Sequence, residues 1–193
     1  MIVNEKGLVK ALKSAYKRQG YTILQNDAQI TIYTDRWYTR IDRDKFPVKA
    51  LATIVEHMGT LPTSTDALLI SANAAMQIVM PEIVGKDIAA LVTGDRVKTV
   101  TLVPVFVRGY QLYQEEGGGS CYGVDAADLC IVERSVAAQK SADVIAEDRL
   151  EWSHDGEIVI ISATRPTAHY WSDDHERDVW AAMESADLHE PKE

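Results

Sequence analysis

YTILQNDAQITIYTDRWYTRI, residues 21–41, reads as three strands in succession. Tyr21–Leu24 and Gln29–Thr34 are rich in β-branched and aromatic residues, and Gln25-Asn26-Asp27-Ala28 between them has the composition of a hairpin turn. Arg36–Ile41 alternates, so Trp37 faces away from Arg36 and Tyr38. Strands that follow one another without an intervening helix belong to an antiparallel sheet rather than to βαβ units.

Helices are expected on either side of this run. Upstream, Leu8, Leu12, Ala15 and Tyr16 recur at helical spacing within Glu5–Gln19, and Gly20 stands where a helix C-terminus wants a glycine. Downstream, Pro47 is suited to a first turn, and the helix runs to Met58, burying Val48, Leu51, Ile54 and Val55 before Gly59 and Pro62 end it. Ala67–Ser71 reads as a strand, and Asn73–Val84 fits helix or strand equally. Val97–Tyr113 reads as strand, with Pro104 marking an edge or a bulge. Glu115–Ser120 is a glycine-rich loop, and Leu129–Glu133 is a short strand candidate. Leu150–Trp152 and Glu157–Ala163 flank Asp155-Gly156, a hairpin signal. A final helix spans Asp174–Leu188, with Asp173 as cap and Glu176 as its capping-box partner, and residues 189–193 fray. The expected class is α+β: a largely antiparallel sheet flanked by an N-terminal helix, a helix near 47–58 and a C-terminal helix, within one domain of residues 1–193.

Composition agrees. The 193 residues are 46% apolar and 25% charged, which excludes collagen-like, coiled-coil and wholly disordered chains. Residues 1–20 lack an apolar run of signal-peptide length, and the tract from Ala67 to Leu91 is broken by polar residues, so no membrane association is expected. Cys121 and Cys130 fit neither a CxxC pair nor a zinc knuckle, and a cytoplasmic protein with reduced thiols is expected.

Charge is unevenly placed on a chain of net −9. Residues 1–50 carry ten Lys/Arg against five Asp/Glu, whereas residues 151–193 carry three against eleven. Lys6, Lys10, Lys13 and Lys17 fall within roughly 60° on the first helix, forming one stripe. Such a stripe is either a solvated face or a track for phosphates or an acidic partner. Asp173, Asp174, Glu176, Asp178, Glu184 and Asp187 make the last helix acidic. Its first-turn carboxylates complement the helix dipole, and the remainder offers a surface to a basic groove.

Tests for chemistry yield little. His169, Asp173, Asp174, His175 and Asp178 cluster without an HExxH or paired-histidine pattern. Asp125 or Asp128 ahead of Glu133 begins a two-metal nuclease pattern, but Arg134 and Ser135 follow where lysine is required. Cys121 has no histidine near it in sequence, and Gly117–Gly119 is not followed by Gly-Lys-Ser/Thr. No catalytic residue, metal site or cofactor is expected. Trp37 and Tyr38 between Arg36 and Arg40 are read as cross-strand packing rather than base stacking.

The stretch Asp35-Arg36-Trp37-Tyr38, through Lys45-Phe46-Pro47-Val48-Lys49-Ala50-Leu51-Ala52, to Glu56-His57-Met58-Gly59-Thr60-Leu61-Pro62 resembles short uncharacterised proteins of Gram-positive phages and mobile elements. That resemblance implies a setting that includes inhibitors of bacterial defence, anti-CRISPR proteins among them. The expectation is a non-enzymatic binding protein, its partner a host protein or protein–nucleic-acid complex such as a defence nuclease. The alternatives are a metal-dependent nuclease or phosphohydrolase, and a nucleic-acid-binding protein using the lysine stripe.

Overall fold

The computed structural model describes residues 1–60, 66–139, 141–146, 148–164 and 174–189, with the backbone alone at 97 and 174–177. Helix α1 (Glu5–Lys17) starts where the Asn4 side chain accepts from the Gly7 N–H at 2.7 Å. It ends two residues earlier than its periodicity suggests, and Gly20 follows at φ +90°. Strands β1 (Tyr21–Gln25), β2 (Gln29–Tyr33) and β3 (Trp37–Asp42) form the expected antiparallel meander. Pro47 sits at the cap of α2 (Val48–Met58) rather than inside its first turn, and Gly59 closes that helix in the left-handed region at φ 78°. Ile54 is buried, but Val48 is 76% exposed, because the helix turns Ala50 and Thr53 inward instead.

The ambiguous middle resolves into both structures. Strand β4 (Ala67–Ser71) pairs with β5 (Ala74–Val79), and Pro81 at the first position opens α3 (Pro81–Val92). The stretch 97–113 is two strands, not one: β6 (Arg96–Val107) and β7 (Tyr110–Glu115) fold back at Arg108-Gly109, with φ 48° and 93°. Two residues at positive φ make the tight hairpin turn, which β-branched residues before it and tyrosines after it conceal from a pattern reading. Around Pro104 the β6–β7 register shifts between Leu102 and Phe106. There the Gln111 side-chain amide donates to the Val103 and Val105 carbonyls at 2.8 and 3.0 Å.

After β8 (Cys121–Asp125) the expected strand at Leu129–Glu133 is replaced by two short helices, α4 (Ala126–Leu129) and α5 (Arg134–Gln139). Asp125 decides this, accepting from the Ala127 N–H at 2.8 Å as a helix cap. Between the helices only Val132 keeps β pairing, as a single bridge to Val3. Strand β9 (Ala142–Ile145) precedes the hairpin of β10 (Arg149–His154) and β11 (Glu157–Thr164), which turns at Asp155-Gly156 with φ 48° and 82°. Helix α6 (Asp174–Glu184) is one turn shorter than expected, and its proposed cap Asp173 lies outside the described residues.

The sheet has eleven strands in the order β10-β9-β6-β7-β8-β11-β3-β2-β1-β4-β5, every pairing antiparallel. Because β10 also pairs with β11 from Arg149↔Ser162 to His154↔Glu157, the first six strands close on themselves. Strand β11 is the junction: its other side holds β3 at Ile158–Ile161 and β8 at Ala163–Thr164. The remaining five strands form a wing, and among the described residues β5 alone pairs on one side only.

Helices α1 and α2 cover one face, where Leu8, Leu12, Ile23, Ile32, Trp37 and Ile54 join Tyr113, Trp152 and Ile161 in the main core. On the other face α3 brings Val84 and Leu91 over Tyr33, Tyr38 and Ile160, while α6 brings Trp180 over Val103, Leu112 and Cys121. The class expected from sequence, α+β with a largely antiparallel sheet and helices at the stated places, is the observed one. Among the described residues no helix is long and apolar enough to cross a membrane.

Candidate functional site

The basic stripe is intact. Lys6, Lys10, Lys13 and Lys17 are all exposed along α1, whose opposite side buries Leu8 and Leu12. Among the described residues none of the four ammonium groups has a carboxylate within ion-pair distance. Several carboxylates near the helix are committed elsewhere. Glu5 binds the Lys49 N–H at 3.1 Å and its ammonium at 3.3 Å, tying α1 to α2 and holding the Glu5 carboxyl below its ordinary range. Arg36 takes Asp125 at 2.5 Å and Asp128 at 2.6 Å. Glu133 accepts from the Asn4 amide at 2.8 Å.

α1 is held rigidly. The Asn4 N–H donates to the Ile131 carbonyl at 2.7 Å, and the Glu133 N–H donates to the Ile2 carbonyl at 2.6 Å. The Ile2 N–H in turn donates to the buried Glu157 carboxylate. Gly7 lies so close to the Cys130 carbonyl that a Cβ there would collide with it. On the α2 side, the His57 ring stacks on Tyr16 with centroids 3.9 Å apart, and its Nδ1 lies 3.0 Å from the Tyr21 hydroxyl. Burial lowers the His57 pKa, with the charge of Lys13 acting in the same direction and Glu56 opposing. These ties fix the stripe's direction relative to the sheet.

The acidic helix is less available than its sequence suggests. Glu184 accepts from the Cys121 N–H at 3.2 Å, and Asp187 accepts from the His189 N–H at 2.9 Å while lying 3.1 Å from the same ring. Asp178 is exposed; at Asp174 and Glu176 the backbone alone is described, and Asp173 lies outside the described residues. For Glu184, sequence reasoning missed this internal use because the partner lies some sixty residues away on β8.

For the other candidates, His169 and Asp173 lie outside the described residues and His175 is described in its backbone only. Asp125 and Glu133 are engaged with different partners, Arg36 and Asn4. No group of three His, Cys, Asp or Glu that could hold a metal occurs among the described residues. Cys121 is fully buried, and burial, with Glu184 and Glu115 adding to it, pushes its thiol pKa up to about 11. A thiol so placed stays protonated at neutral pH and is a poor nucleophile. Trp37 and Tyr38 are buried on opposite faces of β3, in the packing role assigned to them.

Beside the stripe lies a groove that no sequence pattern announced. The first turns of α1, strands β6 and β7 and the α4–α5 segment enclose about 600 Å³. Leu102, Leu129, Val132 and Ala137 make it aliphatic, and Lys6, Lys10 and Arg134 stand around it.

No family model matches the chain, and no curated protein matches it. Among solved structures, the sliding clamp DNA polymerase III subunit beta (DnaN) from Bartonella birtlesii LL-WM9 is similar at 12% identity over 92% of this chain and 65% of the clamp, with a TM-score of 0.25. The chain therefore spans about two-thirds of the clamp's length, and a superposition this loose carries no argument about fold or function.

Proposed function

We propose that this chain is a binding protein that engages an anionic macromolecular partner through the lysine stripe of α1. The observation that carries this reading is four exposed ammonium groups on one helix face, left without carboxylate partners among the described residues of a chain with net charge −9. Several carboxylates around α1 are instead held in internal pairs: Glu5 with Lys49, Asp125 and Asp128 with Arg36, and Glu133 with Asn4. In the setting implied by the sequence resemblance, the partner is a host defence nuclease or the nucleic-acid complex it forms, and binding would block it. The test is capture from host lysate by wild type and by a Lys6/Lys10/Lys13/Lys17→Gln variant at low and moderate salt. A species held by wild type at low salt and lost both at higher salt and in the variant supports the reading; equal capture by the variant overturns it.

Direct nucleic-acid binding is a second reading, favoured by the length of the stripe. From Lys6 to Lys17 the helix rises about 16 Å, enough to follow several phosphates. Four neutralised phosphates give a salt slope of about −3.6, so duplex affinity would fall roughly 100-fold over a fourfold rise in salt.

A further inference from the structure

The groove beside α1 has a chemistry that narrows the partner. Its charged lining residues, Lys6, Lys10 and Arg134, are all cationic and exposed, and none is paired among the described residues. Its uncharged polar groups are used internally. Asn4 binds Gly7 and Glu133, Gln111 binds the two carbonyls beside Pro104, and the Cys130 thiol donates to the Ala127 carbonyl at 2.9 Å. What remains for a ligand is an aliphatic floor bordered by three cations, at a volume of about 600 Å³ that suits a few side chains.

We propose that this groove docks an acidic segment of a partner protein that inserts an aliphatic anchor between Lys6, Lys10 and Arg134. The proposal rests on the binding role assigned to the stripe and names the class of its partner. A nucleic acid would satisfy the cations through its phosphates but has nothing to place on the floor. Bases bind by stacking on aromatic rings, and no aromatic residue lines the groove, while Trp37 and Tyr38 are buried. A peptide alternating carboxylates with leucine-like side chains matches both parts, and apolar anchors seated in a pocket are where interfaces concentrate their affinity.

The test is fluorescence anisotropy on the full chain with three labelled probes: a short peptide of alternating aspartate and leucine, its aspartate–serine counterpart, and single-stranded oligothymidylate. The leucine peptide is expected to bind at least about tenfold more tightly than the serine peptide, the worth of one well-seated anchor. Ala138→Phe places a ring into the groove from an exposed wall position and is expected to cost the leucine peptide about tenfold, with the thermal midpoint and any oligothymidylate binding unchanged. Ala126→Phe, also exposed, serves the same purpose should the first variant melt early. Equal affinity for the two peptides, or full binding by the filled variants, overturns the groove proposal. If the lysine variant still loses partner capture in that case, the stripe reading stands; if it does not, both fall.

Discussion

Gly7→Ala separates tertiary from local control of α1. Gly7 lies in the first turn of a 13-residue helix, where alanine is favoured over glycine by about 1 kcal/mol on propensity alone. Its Cα, however, abuts the chain between α4 and α5: an added Cβ collides with the Cys130 carbonyl and comes within 3.1 Å of the Ile131 nitrogen. Both are backbone atoms, so no rotamer change relieves the clash. Either α1 lifts, which strains the Asn4–Ile131 hydrogen bond, or the segment at 130–131 shifts against the core. Overpacking of this kind costs about 1–3 kcal/mol, and the rigid obstacle places it at the upper end. With the propensity gain set against it, the net loss is about 2 kcal/mol. For a chain of this size that lowers the thermal midpoint by about 4–8 °C. Gly85→Ala is the control, since Gly85 is exposed within α3 and a Cβ there meets nothing within 4 Å. It should raise the midpoint by about 2–4 °C. Melting curves by circular dichroism for wild type and both variants decide the matter. A Gly7→Ala midpoint equal to or above wild type would refute the close approach of α1 to Cys130.

Three further outcomes follow from the geometry. The fold favours neutral His57, so the unfolded chain binds more protons as pH falls through about 6.5; stability present above that pH should decline below it, and His57→Gln should flatten the decline in melts from pH 7.5 to 5.5. A thiol-reactive dye at pH 8 should leave Cys121 unmodified in the native protein, its thiolate appearing only as pH approaches about 11, and rapid modification would contradict its burial. Trp180→Ala should cost about 3–5 kcal/mol and open Cys121 to the same dye, because Trp180 covers it together with Val103 and Leu112; unchanged melting would show that α6 is not anchored there.

What the sequence revealed was what neighbours along the chain determine. The α1 stripe, the turns at Asn26 and Asp155-Gly156, and the end of α2 at Gly59 depend on a few adjacent residues, and each was legible. The strand proposed at Leu129–Glu133 failed because apolar content outweighed a single capping aspartate, and the hairpin at Arg108-Gly109 was hidden by continuous β-rich sequence. Val48 was placed inside by its type, yet the rotation of α2 is set by what Ala50 and Ile54 meet across the sheet. The site divided in the same way. Exposure of the lysines follows from helical spacing, whereas the engagement of Glu184 and the shape of the groove come from residues far apart in sequence.

The closure of six strands through β11 has a consequence for how the molecule meets its surroundings. The ring leaves none of its six strands at a sheet end, so among the described residues β5 is the strand paired on one side only. Its sequence AAMQIV carries no charge and no proline, and Met76 and Ile78 stand 51% and 70% exposed. That border is an aggregation-prone edge, and a lysine in place of Ile78 would guard it without touching the core.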